Sequence, residues 1–71
     1  MDQFFVERDR GIWKIRHDDS HVGIFPTKEM AINWAIERAQ NALARGETAC
    51  VLSQGADHVF RTEWASNRDM R

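Results

Sequence analysis

The sequence predicts a single α+β domain in which one helix packs on a mainly antiparallel sheet of four or five strands, in the order β-β-β-α-β-β. Three observations indicate this fold class. Short apolar runs with period-two alternation are separated by turn-forming residues. One longer segment repeats alanine and isoleucine at three- and four-residue spacing between a threonine and a glycine. Two more apolar runs follow that segment.

Three strands are predicted before the helix. Residues 4–8 are apolar and aromatic, and turn-forming residues 9–11 separate them from an alternating run over residues 12–16. These two runs should form a hairpin with one wet side. A second turn over residues 17–20 leads to a third strand over residues 22–25.

The helix is predicted over residues 27–45. Thr27 is suited to be the N-cap, and Glu29 would lie near the positive end of the helix dipole. Gly46 follows where a left-handed residue commonly ends a helix. The apolar stripe consists of Ala31, Ile32, Ala35, Ile36, Ala39, Ala42 and Leu43. Its alanines should let the helix lie close to the sheet.

After the helix, residues 48–53 and 58–64 should form a second hairpin around a turn at residues 54–57. If Ser53 pairs with His58, Val51 lies beside Phe60, and we expect this face to be the buried one. The opposite face is the alternative.

The predicted domain has an ordered core over residues 4–64 and a polar tail, residues 65–71, that should fray. The predicted core residues are Val6, Trp13, Ile15, Ile24, Ala31, Ile32, Ala35, Ile36, Ala39, Leu43, Val51 and Phe60.

Composition bounds the possible partners. Ten basic and eleven acidic residues give a formal net charge of -1, which supplies no long-range attraction for nucleic acid or anionic lipid. No apolar run approaches the ~20 residues that span a bilayer, so no membrane partner is expected. Because the single Cys50 cannot form an internal disulfide, we predict a cytoplasmic protein.

Several motifs together carry a family resemblance. They are Gly11-x-Trp13-x-Ile15, Phe25-x-Thr27-Lys28-Glu29-x-Ala31-Ile32-x-x-Ala35 and Gly55-x-Asp57, with Val6, Val51-Leu52 and Phe60. With these residues the chain resembles domain-of-unknown-function family 2188, a group of small bacterial proteins, over nearly its whole length. The resemblance implies one helix packed on an antiparallel sheet. It implies no activity and no catalytic or binding residue.

No enzyme activity is predicted. Cys50 is the only candidate thiol nucleophile, and it would need a base such as His58 and a lowered pKa. The predicted register puts His58 three pairs away on the opposite face. A buried structural cysteine is the expected role, since free cysteine is commonly buried.

The segment His17-Asp18-Asp19-Ser20-His21 gathers nitrogen and oxygen groups that could bind a transition metal. Its spacing matches no standard ligand set, and Asp and Ser are expected in a turn. A solvated turn is therefore predicted, with no metal and no cofactor.

The leading functional hypothesis is a small cytoplasmic protein-interaction or accessory domain, with homodimer formation as an option. Trp34 lies off the apolar stripe, beside Met30 and flanked by Arg38. Exposed Trp and Met side chains are typical of protein interfaces. In the alternative reading, the N-terminal arm or Trp64 covers Trp34 and completes the core.

The second hypothesis is a weak nucleic-acid-binding module. Lys14, Arg16 and Arg61, with Arg8 as a further candidate, could form a basic stripe on the exposed sheet face. A nearby tryptophan would add base stacking. The near-neutral total charge makes nucleic acid the less favoured partner.

Overall fold

The computed structural model describes residues 2–66. This part of the chain contains five strands and one helix: β1 (Asp2–Asp9), β2 (Ile12–His17), β3 (Ser20–Phe25), α1 (Lys28–Ala44), β4 (Ala49–Gln54) and β5 (Phe60–Ala65). The predicted α+β class and element order are confirmed. The prediction of a frayed tail lies outside the described residues from residue 67 onward.

The five strands form one sheet in the order β3-β2-β1-β4-β5. The three hairpin-linked pairs are antiparallel, whereas β1 and β4 pair in parallel. The parallel pair arises because α1 carries the chain back along the sheet before β4 begins. The helix therefore covers one side of the sheet. We call the other side, which no element of residues 2–66 covers, the open face.

Local bonds set the ends of the elements. Arg10 and Gly11 both have positive φ, 55° and 86°, as the tight turn of a two-residue hairpin requires. Thr27 accepts a hydrogen bond from the amide of Met30 at 3.2 Å and caps α1. At the other end Gly46 has a φ of 85°, and the amide of the following residue donates back into the last helical turn.

The core lies between α1 and the sheet. Its buried residues are Phe4, Val6, Ile15, Ala31, Ala35, Ala39, Ala42, Ala49 and Val51, with Ser53 as the buried polar residue. The alanine stripe is confirmed as the surface that faces the sheet. Trp13, Ile32 and Ile36 are partly buried against this core. Leu43, however, is 46% exposed, because the neighbouring Ala42 faces the strands instead.

The predicted burial of Ile24 is wrong, since this side chain is 62% exposed. Phe25 occupies the helix side of β3, where its ring lies over Gly23. A Cβ at Gly23 would be only 2.9 Å from that ring. Because neighbours alternate along a strand, Ile24 lies opposite Lys14 on the open face.

The predicted pairing of Ser53 with His58 is also wrong. His58 has a φ of 65° and donates its amide within the turn, so β5 begins later, at Phe60. Ser53 pairs with Arg61 instead. Phe60 therefore projects from the open face, and Trp64 takes the inward place opposite the buried Val51.

Candidate functional site

The open face is one of two surfaces that could bind a partner. Strand register assigns to it one set of alternating side chains from all five strands. This set includes Phe5, Glu7, Asp9, Lys14, Arg16, His21, Ile24, Cys50, Leu52, Gln54, Phe60 and Thr62. It divides into an apolar half on β1, β4 and β5 and a charged half on β1 and β2.

An aromatic pair forms the centre of the apolar half. The rings of Phe5 and Phe60 meet edge to face with centroids 5.4 Å apart. Leu52 lies beside Phe5 across the parallel strand pair. The guanidinium of Arg16 lies 4.6 Å from the centroid of the Phe5 ring. Aromatic, aliphatic and arginine side chains are combined here as they are at the centre of many interfaces.

Ion pairs fill the charged half. Arg16 donates through Nε to Glu7 Oε2 at 2.8 Å, and Lys14 Nζ lies 2.9 Å from Asp9 Oδ2. His21 Nε2 lies 3.6 Å from the other oxygen of Glu7. The ion pair with Lys14 lowers the pKa of Asp9. The two cations of this region are thus each matched by a carboxylate.

The predicted basic stripe is not formed as one surface. Lys14 and Arg16 lie on the open face, whereas Arg61 lies opposite the inward-facing Ser53, on the helix side. The guanidinium of Arg61 binds Asp57 at 2.9 Å and lowers the pKa of that carboxyl to about 2. Arg8 also lies on the helix side, opposite Trp13.

The second surface is a cleft of about 330 Å³ on the helix side of the sheet, beside α1. Its lining consists of Asp2, Phe4, His17, Val22, Trp34, Arg38, Asn41 and Arg45. Trp34, Arg38 and Asn41 lie on α1 at spacings of four and three, which places them on one face of the helix, and the C-cap residue Arg45 follows four residues later. That spacing is a sequence signal that marks the cleft.

The interface candidates Trp34 and Arg38 line this cleft, and Met30 lies nearby on the same helix. Trp34 is half-buried, with its ring centroid 5.8 Å from that of Phe25. The guanidinium of Arg38 lies over the Trp34 ring, 4.6 Å from its centroid. Met30 is 50% exposed. Phe25 of β3, and not Trp64, therefore supports the indole.

The histidine and aspartate segment does not converge. His17 faces the helix side, where its ring stacks on Phe4 and its Nε2 lies 3.3 Å from Asp2 Oδ1. His21 lies on the open face, and Asp18 adopts a turn conformation with a φ of 59°. Within residues 2–66, no three side chains of the metal-binding types come together.

Cys50 is half-buried on the open face, in the middle of the sheet. Burial raises the pKa of its thiol, and a hydrogen bond with Gln3 only partly offsets this effect. The thiol is therefore protonated at neutral pH, which makes it a poor nucleophile.

Comparisons with protein families, curated proteins and solved structures give no match for this chain. The resemblance to family 2188 therefore stays a prediction. In the described part of the chain, no helix has the length and apolarity that crossing a membrane requires. Any function has to be inferred from the open face and the cleft.

Proposed function

We propose that this protein is a small interaction domain that self-associates through its open face. Phe5 and Phe60 form an aromatic pair that stays partly exposed on the side that α1 does not cover. The layer formed by α1 covers one side of the sheet only, so the apolar half of the open face has no second layer within residues 2–66. Another copy of the same face would supply that layer.

The charges of the open face suit a second copy. Glu7 and Asp9 are matched by Lys14 and Arg16 on the same face. A twofold interface places a patch against itself, so each protomer offers both signs of charge to its partner. The net charge of -1 adds little repulsion between protomers.

The size of the face sets the expected strength of the dimer. A five-stranded sheet with strands of about six residues presents a face of roughly 24 by 20 Å. Two such faces would bury roughly 1,000 Å² together, near the lower limit for a specific complex. We therefore expect a reversible dimer with a dissociation constant in the micromolar range.

The surface around Met30 and Trp34 is a weaker candidate for self-association. Trp34 is already half-buried against Phe25, and Arg38 lies over its ring. Less of its apolar area is left for a partner than the open face offers.

The lone thiol supports our proposal of a cytoplasmic location.

Nucleic-acid binding remains the alternative function, but it finds little support in the charges. Lys14 and Arg16 are held by carboxylates, and Arg61 projects on the other side of the sheet. A basic patch free to contact phosphates would be expected of such a module. Salt-sensitive retention on immobilised single-stranded DNA would favour this alternative.

Sedimentation velocity over protein concentrations of about 5 to 500 μM, chosen to bracket a micromolar dissociation constant, tests the proposal. The wild type should shift from monomer to dimer. Phe60→Lys should stay monomeric, because it puts a buried charge into both halves of the interface. Met30→Lys, which adds the same charge on α1, should dimerise as the wild type does.

A wild type that is monomeric throughout would contradict the proposal. Loss of the dimer in Met30→Lys, with the dimer kept in Phe60→Lys, would instead place the interface on the helix side. Circular dichroism of both variants checks that the fold is intact.

A further inference from the structure

The cleft beside α1 has the size of a small-molecule site. Its volume of about 330 Å³ lies at the lower end of the range for ligand pockets. Val22, which is 41% exposed, supplies apolar surface from the strands, and Trp34 supplies it from the helix. Phe4 lies at the floor of the cleft and is almost fully buried. More of the exposed lining is polar than apolar, so the cleft is suited to a ligand that joins a polar group to a small apolar or aromatic body.

One wall of the cleft carries hydrogen-bond donors. Arg38 and Asn41 lie on the same face of α1, and the C-cap residue Arg45 follows them. Arg45 forms an ion pair with Glu47, in which Nη2 donates to Oε1 at 3.2 Å. On the strand side, Asp2 is held by His17 at 3.3 Å, and it is the one carboxylate that lines the cleft within residues 2–66.

Arg38 is the group most available to a ligand. Among residues 2–66, no carboxylate lies within ion-pair distance of its guanidinium. Its contact is instead the ring of Trp34, at 4.6 Å. Stacking uses the flat surface of a guanidinium and leaves its N–H groups free to donate to a planar or tetrahedral oxyanion.

We propose that this cleft binds a small organic oxyanion, a carboxylate or phosphate group carried on an apolar or aromatic body. Arg38 donates to the anionic group, with Asn41 beside it. Trp34 and Val22 contact the body. This site is on the helix side of the sheet, so it does not depend on self-association through the open face.

The test uses three probes of similar shape: benzoate, phenyl phosphate and the uncharged benzyl alcohol. Titration of ¹⁵N-labelled protein in about 0.1 M salt, where the Debye length is about 10 Å, should shift the Trp34 indole N–H and the Arg38 side-chain Nε–H resonances saturably with the anions. Trp34→Phe assigns the indole signal. The tighter-binding anion identifies the preferred oxyanion, and benzyl alcohol should produce no saturable shift.

Arg38→Gln should weaken binding of the preferred anion about tenfold or more, as expected when a charged hydrogen bond is lost. The matched control is Lys28→Gln, which removes a positive charge from the same helix. Lys28 lies 5.4 Å over the ring of Trp13, outside the lining of the cleft. Its substitution should leave the affinity within about twofold of the wild type, because salt screens more distant surface charges.

Three results would each overturn the inference. The first is the absence of a saturable shift with either anion at ligand concentrations up to about 10 mM, because a dissociation constant above this value is too weak for a specific site. The second is equal binding of benzyl alcohol. The third is an affinity that Arg38→Gln and Lys28→Gln reduce equally, because the effect would then reflect general charge and not the cleft.

Discussion

Two identical substitutions, Ile15→Ala and Ile24→Ala, test which side of the sheet is the core. Ile15 is fully buried beneath α1, whereas Ile24 is 62% exposed on the open face. At about 0.8 kcal/mol per buried methylene, plus the cost of the cavity, the change at Ile15 should lower the free energy of unfolding by about 2–5 kcal/mol. Both variants also lose strand propensity, by up to about 1 kcal/mol. The difference between them, about 2–4 kcal/mol, therefore measures burial.

Urea unfolding followed by circular dichroism measures this difference. It should be done at a protein concentration low enough to keep the chain monomeric, so that loss of contacts with a second copy does not contribute. With a slope of about 1 kcal/mol per molar urea for a domain of this size, the two midpoints should differ by about 2–4 M. A whole domain this small is stable by only about 3–5 kcal/mol, so Ile15→Ala should unfold in little urea. Equal midpoints would refute the assignment of the core.

Three further outcomes follow from individual contacts. Gly46→Ala should cost about 1 kcal/mol, or about 4–8 °C in a thermal melt, because Gly46 adopts a left-handed φ of 85°; an unchanged melt would argue against this cap. Glu63→Ala should cost about 1–3 kcal/mol in urea unfolding, because the buried Ser53 hydroxyl donates to Glu63, and Glu63→Gln should recover much of the loss. NMR titration should give Asp57 a pKa of about 2, rising toward 3.8 in Arg61→Gln. Because the folded-state pKa is the lower one, the stability from Asp57 should be complete above pH 3.8 and lost as the pH falls toward 2; a wild-type midpoint near 3.8 would rule out the ion pair.

The elements could be predicted from sequence because their signals are local. The Thr27 cap, the Gly46 end and the Arg10-Gly11 turn each depend on bonds within a few residues. The side on which a strand residue projects depends on register, and register was not local here. The expectation for Phe60 is wrong because His58 belongs to the turn and β5 begins later, at Phe60. The expectation for Ile24 is wrong because Phe25 takes the helix side of β3.

The candidate surfaces were predictable to different degrees. The sequence predicts that Trp34 and Arg38 are neighbours, since residues four apart lie side by side on a helix. Their partners across the cleft come from three strands, so only the folded register shows that His17 lies opposite them. The same holds for Lys14 and Arg16, whose neutralising carboxylates belong to β1.

Isotope-filtered NMR tests directly, without altering the chain, whether two open faces pack against each other. A concentrated mixture of ¹³C-labelled and unlabelled protein gives cross-peaks only between different copies. If the open faces pack together, cross-peaks should join the Phe5 and Phe60 rings to the methyl groups of Leu52 and Ile24. Cross-peaks confined to Met30 and Trp34, or none in a sample that sediments as a dimer, would contradict this packing.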